Sequence, residues 1–390
     1  MARVILRPGR ERAVLRRHPW VLSGAVDRLD GDAQPGDCVA VVSAEGEVLG
    51  HGHYSPASQI RVRLLHFGKE DPGEDALGAR VRAAIARRAK LPGLAATDAL
   101  RLVNAEGDGL PGLVVDRYGD VVVLRLSSAG MVARRAEIAA AVRRVSHAAA
   151  GYERADAAAL RREGLPVCEG VLWGAAPGGP VVIHEADRRY QVDLASGQKT
   201  GFYLDQRDAR ALVAEHARGR RALDLFAYSG SFSVAAVRGG AASVTLVESS
   251  QNALALAQAN LEMNASQGEA QLVCEDAFRF LRETDAQWDL LVLDPPPFAR
   301  RQGDLPRATR AYKDLILQAL RHAAPGAWLL AFACSHHVSP ELFRKVAFGA
   351  SLDAGRSARV LRTLEAPPDH AVSLDHPEGR YLTGLWLEVD

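Results

Sequence analysis

The chain has 390 residues, 48% hydrophobic and 24% charged, enough to bury several cores and more than a single domain usually holds. Its 48 Lys and Arg nearly balance 47 Asp and Glu, so a globally basic nucleic-acid binder is excluded and any such surface must be local. The four cysteines, Cys38, Cys168, Cys274 and Cys334, are scattered, which excludes a compact disulfide framework or a cysteine-rich zinc site; reduced thiols and no metal are expected.

The N-terminal stretch MARVILRPGRERAVLRRHPW has a short apolar patch broken by arginines, unlike a signal peptide, and no apolar run reaches membrane-spanning length. A cytoplasmic protein without a membrane partner is expected. From Arg3 to about Leu65, VIL, CVAVVS, EVLGHGHY and QIRVRLL are short β-like runs broken by turn residues, a small all-β module. Glu74 to Lys90 reads as a helix, LRLVN and LVVDRYGDVVVLRL as strands, and Val132 to Val145 as an alanine-rich helix. Between about Gly164 and Leu194 the pattern returns to β. From Arg207 onward strands and helices alternate: helix 207–218, strand ALDLF, helix SFSVAAVR, strand SVTLVE, helix ALALAQANLEMN, strand AQLVCE and helix AFRFLRE. Strand WDLLVLD, helix 308–323, strand AWLLAFAC, helix PELFRKVAF and the strands ARVLRTL and RYLTGLWLEV complete the series. Such alternation predicts an α/β fold, a doubly wound and mainly parallel sheet covered by helices.

In open α/β sheets ligands bind beyond the carboxyl ends of the strands. Four strands here end in acid: Asp224 before the turn at Gly230, Glu248, Glu275-Asp276, and Asp294 in DPPPF. Glu248 stands about twenty residues after the first acid, the spacing at which a carboxylate accepts ribose hydroxyls. An acid after a strand is also a common helix cap. Taken in order, and with no full G-x-G-x-x-G at the first turn, the set favours an adenosyl cofactor without a pyrophosphate over NAD.

HPWVLSGAV (His18 to Val26), GQKTGFYLDQRDAR (Gly197 to Arg210), DLFAYSGSFS, the Asp294-Pro295-Pro296 triplet and Cys334-Ser335 resemble the bacterial large-subunit ribosomal RNA cytosine-5 methyltransferases with an N-terminal PUA domain. The resemblance covers essentially the whole chain. It implies a PUA RNA-binding domain over 1–70, a small central α+β domain over 71–190, and a class I, Rossmann-like S-adenosylmethionine methyltransferase domain over 191–390. It also implies that Asp224, Phe226 and Gly230 line the methionine side of S-adenosyl-L-methionine, with Glu248 at the ribose and Asp276 at the adenine amino group, and that Tyr228 and Ser231 also bind the cofactor. Lys199, Thr200, Tyr203 and Gln206 would roof the same pocket with Asp294 beside them, Lys199 being equally suited to an RNA phosphate.

Carbon 5 of cytosine is a poor nucleophile, and methylation there needs a thiolate added to C6. Cys334 closes an apolar strand one strand after Asp294, so these two are the expected catalytic pair, with Asp294 on the base edge and stiff prolines holding the loop. Packing is the alternative for a free cysteine, and it is preferred for Cys38, Cys168 and Cys274. The sequence departs from the family at Pro297, where Lys is frequent, and at Cys334-Ser-His-His in place of Ser-Gly. The Pro-Pro loop carries no second cysteine; His336 and His337 are candidates for removing the C5 proton, or for capping a helix.

Arg3, Arg7, Arg10, Arg12, Arg16, Arg17 and His18, beside Trp20, concentrate charge in the first module and suit RNA phosphates, with a solvated charged face as the alternative. The expected partner is single-stranded or unfolded 23S ribosomal RNA, since a ring carbon is reached only in an unstacked base; a homodimer is an allowed assembly. The rival readings are a same-fold enzyme methylating a base nitrogen, with Cys334 structural, and a non-catalytic RNA-binding protein.

Overall fold

Short apolar runs with turn residues between them form the first sheet. In the computed structural model, which describes residues 1–71, 73, 75–176, 178–264, 269–299 and 301–390, these are β1 (Arg3–Leu6), β2 (Trp20–Leu22), β3 (Val26–Asp30), β4 (Cys38–Val42), β5 (Val48–Tyr54) and β6 (Ile60–Phe67), with the short helix α1 (Arg12–Leu15). Their order is β2-β6-β5-β4-β1-β3. All pairs are antiparallel except β1 with β4. Every second side chain turns inward, and Val4, Leu6, Val21, Val39, Val41, Val62 and Leu64 make its core.

A second sheet, order β11-β10-β9-β8-β7, follows helix α2 (Ala76–Arg88). It comprises β7 (Ala99–Asn104), β8 (Leu113–Tyr118), β9 (Val121–Leu126), β10 (Ala150–Glu153) and β11 (Gly170–Trp173). Leu77, Val81 and Ile85 of α2, spaced by three or four, share a core with Val103, Val115 and Leu124 of the strands. Glu74, where the sequence suggests this helix starts, lies outside the described residues. The alanine-rich helix is two pieces, α3 (Ala129–Ala133) and α4 (Arg135–Ser146); the chain turns at Arg134, whose guanidinium donates to Gly36 O at 2.6 Å. Neither β10 nor helix α5 (Ala157–Arg162) is apparent from the sequence. β10 carries only four residues, and its extended form rests on partners β9 and β11 distant in the chain.

The hairpin β12 (Val181–Glu185) and β13 (Arg188–Val192) leads to the alternating half. There follow α6 (Arg207–His216), β14 (Arg221–Leu225), α7 (Ser231–Arg238), β15 (Ser243–Glu248), α8 (Gln251–Met263), β16 (Glu269–Cys274), α9 (Ala277–Glu283), β17 (Trp288–Leu293), α10 (Leu305–His322), β18 (Ala323–Cys334), α11 (Pro340–Ala354), β19 (Ala358–Leu364) and β20 (Leu382–Val389). They build a seven-stranded sheet, order β16-β15-β14-β17-β18-β20-β19. The first five strands are parallel, and β20 alone is reversed, pairing antiparallel with both β18 and β19. The central parallel strands are covered on both faces and read as unbroken apolar runs, while the edge strands β16 and β19 are largely exposed. Helices α9, α10 and α11 share one core with Leu223, Leu225, Leu291, Leu293 and Leu329 of the sheet. In α10 the buried Ala308, Tyr312, Leu315, Ile316 and Ala319 recur every three or four residues, and Pro306 stands in the first turn, where a missing N–H costs nothing.

The chain forms two compact units: Met1–His184 with Val192–Leu204 and Pro368–Gly379, and Glu185–Gln191 with Asp205–Pro367 and Arg380–Asp390. Both small sheets thus belong to the first unit, together with the 192–204 and 368–379 segments. No helix among the described residues is long and apolar enough to cross a membrane.

Candidate active site

In the second unit, adjacent strands β15, β14, β17 and β18 carry the expected residues to one edge. Their registers pair Leu225 with Val247 and Leu293, and Leu293 with Ala331, so Phe226, Glu248 and Asp294 end their strands at one level and Cys334 projects two residues further. The turn after β14 is tightly constrained: Phe226 (φ 61°) and Tyr228 (φ 48°) adopt the left-handed conformation, as does Gly230 (φ 71°). At Gly230 an added Cβ would meet Ala257 Cβ at 2.9 Å, so the close approach that demands glycine is by helix α8. Ser231 opens α7 and is buried.

Asp224 is 3% exposed, and its Oδ2 accepts from the Ser233 N–H at 3.1 Å and Oγ at 2.6 Å. Its Oδ1 is buried with no hydrogen-bond partner. Burial, reinforced by the charges of Asp294 and Glu248, pushes the carboxyl up to about 7. A buried acceptor facing like charges fits a cationic ligand that brings a donor. Glu248 already accepts Tyr228 N–H at 3.0 Å and Ser250 N–H at 2.9 Å, which fixes its carboxylate at the strand end. Asp276 caps α9 through Arg279 N–H at 3.0 Å, the role an acid after a strand often has.

Beside this row the Cys334 thiol donates to Asp294 Oδ1 at 3.5 Å, and Gln206 Nε2 donates to Asp294 Oδ2 at 3.0 Å. Cys334 is half-buried, and Ser335 anchors the strand end by donating to Ala299 O at 2.7 Å. His336 and His337 lie in the turn before α11 and do not start it: Ser339 is the cap, accepting from Leu342 N–H at 3.2 Å. Packing as the fate of the other cysteines is corrected at two positions. Cys168, in the loop before β11, and Cys274, on edge strand β16, are exposed; Cys38 is half-buried.

Phe278 escaped the sequence reading. Its ring lies 6.3 Å from Phe226 and 6.1 Å from Phe298, and with Pro297 and Phe298 it lines a cavity of about 560 Å³. The aromatic rings suit a flat ligand, and the helix AFRFLRE, with Phe278 and Phe280 two residues apart, does not signal in sequence which of them lines the cavity.

Lys199, Thr200 and Tyr203 fall in the first unit and Gln206 in the second. Lys199 Nζ lies 4.2 Å from the centre of the Tyr203 ring. Thr200 is buried; its hydroxyl pairs with Tyr118 OH at 2.7 Å and donates to Asp116 Oδ2 at 2.6 Å. Of the first-module cations, Arg10, Arg12 and Arg16 line one cavity of about 950 Å³ with His18 and Trp20, and Asp375 and Glu378 share its wall. Arg17 lines a separate one. Among the described residues one group has metal-ligand character: His18, His376 and Glu378, with donor atoms within 4.8 Å of one another. His18 Nδ1 accepts the Trp20 N–H at 3.1 Å, which makes Nε2 the protonated nitrogen facing Glu378 at 3.3 Å, a hydrogen bond and not a lone pair offered to an ion.

The chain matches the PUA-like domain family over residues 4–67 and the S-adenosylmethionine-dependent methyltransferase family over residues 154–379. It is 41% identical over 390 residues to ribosomal RNA large subunit methyltransferase I of Aeromonas hydrophila, covering 98% of each chain. It is 39% identical over 392 residues to the same-named protein of Salmonella arizonae, covering 99% of this chain and 97% of that one. Among solved structures it is similar to the methyltransferase SMU.776 complexed with SAH, with TM-score 0.85 and 25% identity over both whole chains. A SAM-dependent methyltransferase from Streptococcus mutans shares the fold with TM-score 0.84 and 24% identity, again over both whole chains. With its acid-tipped parallel sheet and its PUA-like N-terminal module, the chain belongs to the S-adenosylmethionine-dependent methyltransferases, in the family of ribosomal RNA large subunit methyltransferase I.

Proposed function

We propose that this protein methylates C5 of a cytosine in 23S ribosomal RNA, with Cys334 as nucleophile. The observation that carries the reading is the approach of the Cys334 thiol to Asp294 Oδ1 at 3.5 Å, at the edge where Asp224 and Glu248 also end. The relatives' name, ribosomal RNA large subunit methyltransferase I, supports a large-subunit ribosomal RNA substrate. In this reading residues 1–70 bind RNA, 71–190 form a central domain, and 191–390 carry the chemistry.

Asp224 Oδ1 is the open acceptor for the amino group of S-adenosyl-L-methionine, Glu248 for its ribose, and Phe278 with Asp276 for its adenine; Phe226, Tyr228, Gly230 and Ser231 form the turn beneath it. The cofactor supplies an electrophilic methyl group on a sulfonium. Asp294 is the nearby acceptor for the Cys334 thiol proton. The thiolate then adds to C6, the C5–C6 π pair moves to C5, and C5 takes the methyl. Loss of the C5 proton to a base, followed by expulsion of the thiolate from C6, restores the ring. Exposed His336 stands two residues after Cys334, within the segment that can supply that base.

The test is mechanism-based trapping. RNA containing 5-fluorocytidine should give a denaturation-resistant protein–RNA band that requires cofactor, because fluorine cannot leave as a cation. Cys334→Ala should lose both band and turnover yet bind cofactor normally. A variant nearly as active as wild type would establish nitrogen methylation instead.

A further inference from the structure

Gln206 is 2% exposed, and its amide is fixed by its neighbour: a carboxylate only accepts, so the group facing Asp294 Oδ2 at 3.0 Å must be the Nε2 donor. The amide oxygen therefore points the other way. That Oε1 is buried and has no hydrogen-bond partner. Buried acceptors are nearly always satisfied, and one left open on the residue that holds Asp294 marks a place where a ligand brings a hydrogen. Asp294 Oδ1 faces the Cys334 thiol, so one carboxylate ties the nucleophile to the amide. Asp294 and Gln206 Oε1 together offer only acceptors to whatever enters beside them.

We propose that Gln206 is a specificity-determining residue whose amide oxygen accepts a hydrogen from the exocyclic amine of the target cytosine. The inference rests on the cytosine C5 reading above and assigns Gln206 to the base, where the family resemblance implies a place over the cofactor. A pyrimidine with an amine at C4 satisfies the open acceptor. One with a carbonyl there leaves two oxygens facing each other, and a site built to receive a hydrogen rejects the analogue lacking it. Gln206 thus makes two bonds: its N–H₂ holds Asp294 toward Cys334 and its carbonyl reads the amine.

The experiment uses the purified full-length protein and synthetic RNA fragments spanning the nucleotide that the wild-type protein methylates, located first by mass mapping. The nucleotide carries either cytosine or 2-pyrimidinone, which is cytosine without its amine. Comparing the two bases in wild type and Gln206→Leu isolates the amine–amide hydrogen bond, because the intrinsic reactivity of each base cancels. Gln206→Leu should lower kcat/KM on cytosine about 10- to 100-fold, the range for leaving one buried hydrogen bond unmade. It should also reduce the preference for cytosine over 2-pyrimidinone at least about tenfold, with S-adenosylhomocysteine affinity by calorimetry unchanged. Gln206→Glu, which keeps an acceptor, should retain most of that preference above pH 8 and serves if the leucine variant does not fold. An unchanged base preference, with weakened S-adenosylhomocysteine binding or without it, would overturn the proposal. If mapping finds no 5-methylcytidine, the C5 reading itself fails before any variant is compared.

Discussion

Replacing Asp224 by Asn tests whether the first acid of the row is held as a buried, destabilising charge. Asn keeps an oxygen for the Ser233 N–H and hydroxyl and removes the ionisable group. Burial raises the Asp224 carboxyl from 3.8 to about 7. A raised folded value means the native state holds the proton more tightly than the unfolded chain, so the stabilisation is complete below about pH 4 and is lost as pH rises through about 7. About two pH units of this rise lie above pH 5, and at about 1.36 kcal/mol for each they amount to about 2.7 kcal/mol between pH 5 and pH 8. The assay is urea unfolding of wild type and Asp224→Asn at both pH values, with fluorescence and circular dichroism compared to establish that the transitions coincide. Wild type should lose about 2.7 kcal/mol relative to the variant on going from pH 5 to pH 8. Parallel pH dependences, differing by less than about 0.5 kcal/mol, would refute the raised carboxyl.

Three further outcomes are expected. Glu185→Gln should cost about 3–5 kcal/mol in urea unfolding, because Arg210, 0% exposed, is bound by Glu185 at 2.9 and 2.5 Å and loses a buried counter-charge; a cost under about 1 kcal/mol would show that other groups compensate it. Glu248→Ala should weaken cofactor binding by roughly 1.5–3 kcal/mol for each charged hydrogen bond removed, read by calorimetry on a variant of native circular dichroism; equal affinity would remove Glu248 from the site. Neutralising Arg10, Arg12 and Arg16, which line one cavity, should reduce the slope of log K for RNA against log salt by about 0.9 for each phosphate no longer neutralised, while cofactor affinity holds; an unaltered slope would return them to a solvated face.

The second unit was legible because the central parallel strands are buried apolar runs and the helices three-four repeats, both local patterns. AFRFLRE forms a helix over the predicted residues, and SVTLVE ends in Glu248 as read. Local pattern fails where pairing creates the element: AGYE of β10 has no alternation of its own and is extended because β9 and β11 flank it. It fails for exposure as well, since Cys168 and Cys274 differ from buried cysteines only in what surrounds them. The order of acids along the chain anticipated that Asp224, Glu248 and Asp294 gather toward one sheet edge, because a parallel sheet brings successive strand ends together. Nothing in the order reveals that Gln206 donates to Asp294 across 88 residues, or that one oxygen of Asp224 has no partner. Gly230 was read as a turn glycine that lets the backbone approach a ligand closely, but the crowding there comes from Ala257.

The same row of acids bears on how such a site holds and releases its ligand. Glu248 and Asp294 stand at the ends of the two strands that flank the strand of Asp224, and their charges both disfavour ionisation of Asp224. Replacing any one with a neutral residue should ease that repulsion, so the cluster costs stability in the free protein, as functional sites often do. A ligand with cationic centres recovers that cost on binding, and its affinity gains from ionising Asp224. On the methyl-transfer reading the ligand bears a positive sulfur before the reaction and a neutral thioether after it. The acids therefore bind the methyl donor with an electrostatic advantage that the spent product lacks. Because the positive donor holds Asp224 ionised, the difference persists below pH 7 and falls only where the carboxyl is protonated in the donor complex as well. The stability of the free protein titrates with Asp224 at about 7, so the gap between that titration and the fall in donor preference measures how strongly the donor's charge is felt at this carboxyl.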